Sequence, residues 1–277
     1  MDDQRKMRHI HGVVQHPMSP KNTIPLLLTL LGLTGLSHAA TIVDDFESGL
    51  GGWIQINDGN GTIGTSTGSN HPNSTGSSTS ASINYGTDQV TPGAYLVNQG
   101  TAFDVTQAFS GTFDFYVNEE GNYSAGNFII GDVQSGITGL AGEFINFQLD
   151  EKQFGSRADL HDGDGSLING NSAANNNWEI FTNEWNQASF SWTPTSGTSG
   201  TMEFSWVRFN GTTEPGWSGS EAFTYTFNSN EIYFGFGSGD SETRFDNINI
   251  TGTAIPEPSV ALLSGIGFLM LLRRKKR

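Results

Sequence analysis

The chain has 277 residues, no cysteine, and 28 acidic against 13 basic residues, for a formal net charge of −15. The imbalance sharpens in the middle: residues 41–255 carry four basic residues (Lys152, Arg157, Arg208 and Arg244) against 25 acidic ones, a formal charge of −21. Such a surface repels phosphate backbones and argues against nucleic acid as a partner, and a chain without disulfides must be held by its core or by metal.

At the N-terminus, Ile24–Leu36 is apolar and rich in leucine, with Lys21 just before it. Ser37-His38-Ala39 then places small residues at the −3 and −1 positions of a cleavage site. Residues 1–39 therefore read as a secretory signal peptide with an N-terminal signal helix, cut after Ala39 by the Sec-type export pathway. Met18 opens a signal of ordinary proportions. Residues 1–17 are either a wrong start or an extended basic region carrying Arg5, Lys6 and Arg8.

Residues 40–254 read as strands. Phe113, Phe115 and Val117 alternate with polar neighbours, as do Ile145, Phe147 and Leu149. The same period of two runs through Phe190 and Trp192, Met202–Trp206, Phe223–Phe227 and Ile232–Phe236. Aromatics on one side of a two-residue period mark strands with one buried face. Gly, Asn, Ser and Thr clusters between the runs supply turns. The pattern predicts an all-β, two-sheet antiparallel jelly-roll sandwich. Two polar segments, Asn57–Ser82 and Ala158–Asn177, read as surface loops because they have little to bury.

The body opens on Asp44-Asp45-Phe46-Glu47-Ser48-Gly49 with Trp53 following, and closes on Thr243-Arg244-Phe245-Asp246-Asn247-Ile248-Asn249-Ile250. This pairing resembles bacterial jelly-roll modules of the laminin-G-like or concanavalin-like and carbohydrate-binding kinds. Asn183–Phe190 resembles the strand after a tight turn in laminin-G-like domains, and residues 230–250 resemble their last two strands. The resemblance implies first and last strands side by side. It also implies a structural calcium between them, with Asp246 and either Asp45 or Glu47 as ligands. A strand would set Asp246 on one face with Ile248 and Ile250, and a carboxylate turned inward is costly unless paired or bound to metal. Pairing with Arg244, or capping backbone donors at the strand end, is the alternative. Asp162-Gly163-Asp164-Gly165-Ser166 does not form an EF-hand loop, because Leu167 and Ala173 stand where that loop needs glycine and an acid.

Trp178, Trp185 and Trp217 lie among Asn, Glu, Ser and Gly and are candidates to stack on sugar rings, with Trp217 in an expected loop at Pro215–Gly219. Trp192 and Trp206 read as core. The Glu-x-Asp-x-x-Glu signature of laminarinase-like hydrolases is missing. His71 and His161 are the histidines left beyond residue 40, both in polar segments, so no catalytic residue is assigned.

Residues 255–277 form the other terminal segment. Pro256-Glu257-Pro258 precedes an apolar run, Val260–Leu272, and then Arg273-Arg274-Lys275-Lys276-Arg277. The prolines keep the motif extended, the run enters lipid as a short hydrophobic helix, and the basic end stays cytoplasmic. The layout resembles the PEP-CTERM sorting signal. That implies handling by an exosortase-type transpeptidase and a transient membrane anchor. It further implies display on the cell surface or in the extracellular matrix of a Gram-negative bacterium. The 13-residue run is short for a permanent span, which needs about 20 residues.

Taken together, the sequence predicts an exported, noncatalytic surface or matrix protein able to bind glycan. A polysaccharide-active enzyme on the same fold and a purely structural matrix component are the alternatives.

Overall fold

In the computed structural model, the described residues are 38–57, 59–67, 79–85, 94–118, 124–131, 144–152, 155–161, 183–209 and 213–255. They are strands joined by turns. The strands are β1 (His38–Asp44), β2 (Trp53–Asn57), β3 (Gly61–Thr67), β4 (Thr79–Tyr85), β5 (Ala94–Asn98), β6 (Phe103–Asp104) and β7 (Phe109–Val117). They continue with β8 (Ser124–Gly131), β9 (Phe144–Lys152), β10 (Gly155–His161), β11 (Trp185–Ser196), β12 (Ser199–Phe209), β13 (Thr213–Thr226) and β14 (Glu231–Ala254). The expected signal helix, the sorting tail and most of the segment Ala158–Asn177 lie outside the described residues.

The architecture is an all-β antiparallel jelly-roll sandwich. One layer has the order β10-β9-β8-β14-β5-β2. The other has β14-β7-β11-β12-β13, with β4 and β1 end to end along the far side of β14 and β3 outside β4. β14 belongs to both layers: Tyr233–Asp240 pairs with β8 in the first, and Ser241–Ala254 runs on into the second. Residues 230–250, expected to fold as two strands, thus lie almost entirely within one 24-residue strand. β1 lies antiparallel to its end, from His38 opposite Ala254 to Asp44 opposite Ile248, so the first and last strands are neighbours.

The core fills the space between the layers. The alternating apolar residues identified in the sequence point into it: Phe113, Phe115, Ile145, Phe147, Phe234 and Phe236 are all fully buried. Phe128 sits at its centre, 4.7 Å from the Phe113 ring and 4.8 Å from the Phe190 ring. Phe147 stacks on Phe204 at 4.2 Å. Burying side chains of this size contributes about 2–3 kcal/mol each before entropy is counted, which is how a cysteine-free chain holds this fold.

The segment Asn57–Ser82, expected as a loop, contains β3 and the start of β4. β3 reads Gly-Thr-Ile-Gly-Thr-Ser-Thr and packs Ile63 alone against the core. A strand at a sheet edge needs only one partner ladder and little apolar surface, so its sequence resembles a loop.

Candidate functional site

Successive side chains of a strand point to opposite faces, so the residues between the core positions of β7, β11, β12 and β13 share the outer face of their layer. Cross-strand register arranges them in rows. One row reads Val43, Asn249, Thr112, Ser189, Ser205, Ser220, and the next Thr41, Thr251, Ser110, Ser191, Glu203, Ala222. Short side chains in both rows leave a groove of about 620 Å³ across β14, β7, β11, β12 and β13. A second recess of about 320 Å³ continues it past Ser189 and Ser205 to Gln187 and Val207. At about 4.8 Å per strand, the crossing from β14 to β13 is roughly 19 Å long. Under the floor, Gly111 lets the Phe190 ring come close: a Cβ there would lie 2.6 Å from Cζ. Phe190 and Phe204 are almost wholly buried and face the core, so the groove presents hydroxyls and amides rather than rings.

The polar groups of the groove are partly preset. The Ser189 and Ser205 hydroxyls share a 2.7 Å hydrogen bond, and Ser191 Oγ donates to Glu203 Oε2 at 3.4 Å. Glu203 is exposed, and it is the one carboxylate among the described residues lining the groove.

Beside the groove lies the closing motif. Asp246 stands opposite Asp114, and both are buried. Asp114 accepts hydrogen bonds from Gln187 Nε2 at 3.0 Å and Asn247 Nδ2 at 2.9 Å, while Asp246 Oδ1 accepts from Asn247 N at 2.8 Å. Asn247 takes φ +47° within a bulge between Asp246 and Asn249. The extra residue shifts the phase of the strand, as bulges do. Phe245 and Ile248 both face the core, and Asp246 turns to the outer side with Asp114, whose neighbours Phe113 and Phe115 face inward. The expectation that Asp246 shares a face with Ile248 and Ile250 is thereby corrected.

The next row holds Arg244 over the Tyr116 ring at 5.2 Å, with Trp185 beside Tyr116 at 5.7 Å. Arg244 gives Glu242 two hydrogen bonds, at 2.8 and 3.0 Å, and Ser82 Oγ adds a third at 2.6 Å. The Arg244 bond holds the Glu242 carboxyl below the usual range, and burial pushes the Tyr116 hydroxyl up. Arg208 is likewise paired with Glu184 through Nε and, at 2.8 Å, through Nη2.

The residues expected to hold calcium are not gathered. Asp45 and Glu47 are exposed; Asp45 Oδ1 accepts from Glu47 N at 3.2 Å, and Glu47 Oε1 accepts from Thr79 N at 2.7 Å. Among the described residues no three acidic or histidine side chains come together as a metal site. The opening motif instead works through Asp44, which the sequence reading passed over. Its carboxylate accepts from Phe46 N and from Trp53 Nε1, both at 2.7 Å. Its spacing from Trp53 was the available signal.

Of the tryptophans, Trp185 is 3% exposed and closed off as a sugar platform. Trp217 is in β13 rather than a free loop. The register there jumps from Val207 opposite Ser218 to Arg208 opposite Glu214, so its backbone bulges out at the end of the groove. Trp178 and the Pro256-Glu257-Pro258 motif lie outside the described residues, and Ala39 sits within β1 opposite Thr253.

No protein-family model and no curated protein matches the sequence. Among solved structures, the chain is similar to the marine PL-14 alginate lyase from Aplysia kurodai, at 15% identity over 73% of this chain and 90% of that one, with a TM-score of 0.44. It is also similar to the cellulose induced protein Cip1, at 19% identity over 76% and 96%, TM-score 0.47. A lectin from Bauhinia forficata in complex with GalNAc shares 10% identity over 78% and 98%, TM-score 0.45. At these levels no residue role passes from them to this chain.

Proposed function

We propose that this is an exported, noncatalytic glycan-binding protein that holds a polysaccharide segment along the outer groove of the β14-β7-β11-β12-β13 layer. The carrying observation is the pair of cross-strand rows in which Thr112, Ser189, Ser205, Asn249, Thr251 and Glu203 present hydroxyl, amide and carboxylate groups along one open channel. A sugar chain offers donors and acceptors at similar intervals, and recognising it needs polar groups fixed in advance. Trp217, whose backbone lies at the β13 bulge, is the stacking candidate that the sequence offers. Among the described residues Glu203 is the one carboxylate lining the channel, which supports binding over hydrolysis, which takes two. The secretory N-terminus and the Pro256-Glu257-Pro258 tail support display at the cell surface or in the matrix through the Sec-type machinery and an exosortase-type enzyme.

The test is a glycan array and calorimetry on the purified protein, with Ser205→Tyr to fill the channel and Trp217→Ala at its end. Binding abolished by Ser205→Tyr and weakened by Trp217→Ala supports the reading. Binding that survives Ser205→Tyr, or no binding at all, overturns it, and the latter leaves the structural matrix component. Release of reducing ends or unsaturated products overturns the noncatalytic assignment.

A further inference from the structure

The groove's chemistry goes beyond glycan binding in general. We infer that it selects uncharged glycans and rejects polyanionic ones such as polyuronates. This rests on the groove reading above and adds the substrate class.

Every cation in residues 41–255 is placed away from the groove or engaged by a carboxylate. There are four. Lys152 and Arg157 lie on β9 and β10, in the layer that does not carry the groove. Arg208 is engaged by Glu184, and Arg244 by Glu242 in a two-point bond. Neither arginine lines the groove or its extension. A bidentate guanidinium–carboxylate pair is a strong, directional arrangement that a passing anion does not readily displace. Glu203 projects into the channel, held only by the long contact from Ser191. Asp114 and Asp246 sit one row away, supported by neutral amide donors: Gln187 Nε2, Asn247 Nδ2 and the Asn247 backbone.

A polyuronate would therefore place a carboxylate on each ring beside Glu203, with no cation to receive it, in the field of a body whose formal charge is −21. A neutral glycan meets the same hydroxyls and amides without that repulsion. The field decays over about 8 Å at physiological salt, so the two classes must respond differently to ionic strength.

The experiment uses the purified full-length protein on an array pairing neutral glycans with uronic-acid or sulfated counterparts of the same linkage and length, at low and physiological salt. Wild-type protein, Glu203→Gln and Glu203→Lys are compared, with Ser205→Tyr as the blocked groove. Expected is binding to a neutral member at least tenfold tighter than to its anionic counterpart at low salt. The gap should narrow as salt rises, with wild-type neutral binding insensitive to salt, and it should narrow further from Glu203→Gln to Glu203→Lys. Anionic binding equal to or tighter than neutral, and lost in Ser205→Tyr, overturns the selectivity while leaving the groove as the glycan site. A gap that salt and Glu203→Lys leave untouched overturns its electrostatic origin. No binding to either class overturns both readings together.

Discussion

Replacing Asp44 tests how the opening motif holds the first corner of the fold. Its carboxylate spans two elements. One oxygen receives the backbone N–H of Phe46 and the other the indole N–H of Trp53, each at 2.7 Å. Phe46 is fully buried and takes φ +55°, a left-handed conformation that is costly for a side chain of that size. The two hydrogen bonds offset that cost and seat Trp53 on Phe46 and Phe236, with ring centroids at 6.0 and 5.5 Å. Hydrogen bonds to a charged acceptor contribute about 1.5–3 kcal/mol each. Because Asp44 is half-buried, the lower figure applies, and Asp44→Ala should cost about 3 kcal/mol. For a domain of this size, each kcal/mol moves the melting temperature by about 2–4 °C, so the midpoint should fall by roughly 6–12 °C. Asp44→Asn keeps one acceptor but turns an amide donor toward one of the two N–H groups, and should lose about half as much or more. Trp53→Phe removes the indole donor and keeps a ring. Thermal unfolding followed by tryptophan fluorescence and circular dichroism measures all three, and the Asp44→Asn/Trp53→Phe double variant gives the coupling. An Asp44→Asn protein melting within about 1 °C of wild type, less than a single such bond is worth, would refute the reasoning.

Three further outcomes are expected. Glu242 has its carboxyl lowered by Arg244, so its contribution is complete above the unfolded value of about 4.3 and is lost as pH falls through the lower folded value; Glu242→Gln should flatten that acid limb by about 1 kcal/mol, and unfolding curves from pH 7 to 2 would show it. Because Asp45 and Glu47 turn to backbone N–H groups, any rise in melting temperature from millimolar calcium over EDTA at matched ionic strength should be the same in wild type and Asp246→Asn; a rise lost in the variant would restore calcium at this end of the fold. Mass spectrometry of native protein should give a start near Ala40 and no Arg273–Arg277, and intact C-terminal arginines on surface material would leave a plain membrane anchor.

Much of the fold was legible because burying aromatics imposes a two-residue rhythm that survives in the sequence. Phe113–Val117, Met202–Trp206 and Ile232–Phe236 fill the core as that rhythm requires. Three things were not legible. β3 lacked the rhythm because an edge strand buries little. The phase of Asp246 was misread because one left-handed residue, Asn247, reverses every face after it, and nothing in an Asp-Asn pair announces a bulge. The groove was hidden because Thr112, Ser189, Ser205 and Asn249 are far apart in the chain and each reads as an ordinary solvated position; only register brings them into a line. Polar neighbours in the sequence do not mark an exposed tryptophan either, since Trp185 carries them while buried against Tyr116.

β14 also sets the order in which the domain can be completed. β1, β4, β5, β6, β7 and β8 all take it as a partner, yet it is the last of the described strands to be made. Until residues 248–254 have emerged, β1 has no ladder to join. Contacts between opposite ends of a chain are entropically expensive to form early, so folding is held back until the whole body is available. A chain broken off before Ile248 therefore leaves the first strand without its ladder as well as losing the end of the last.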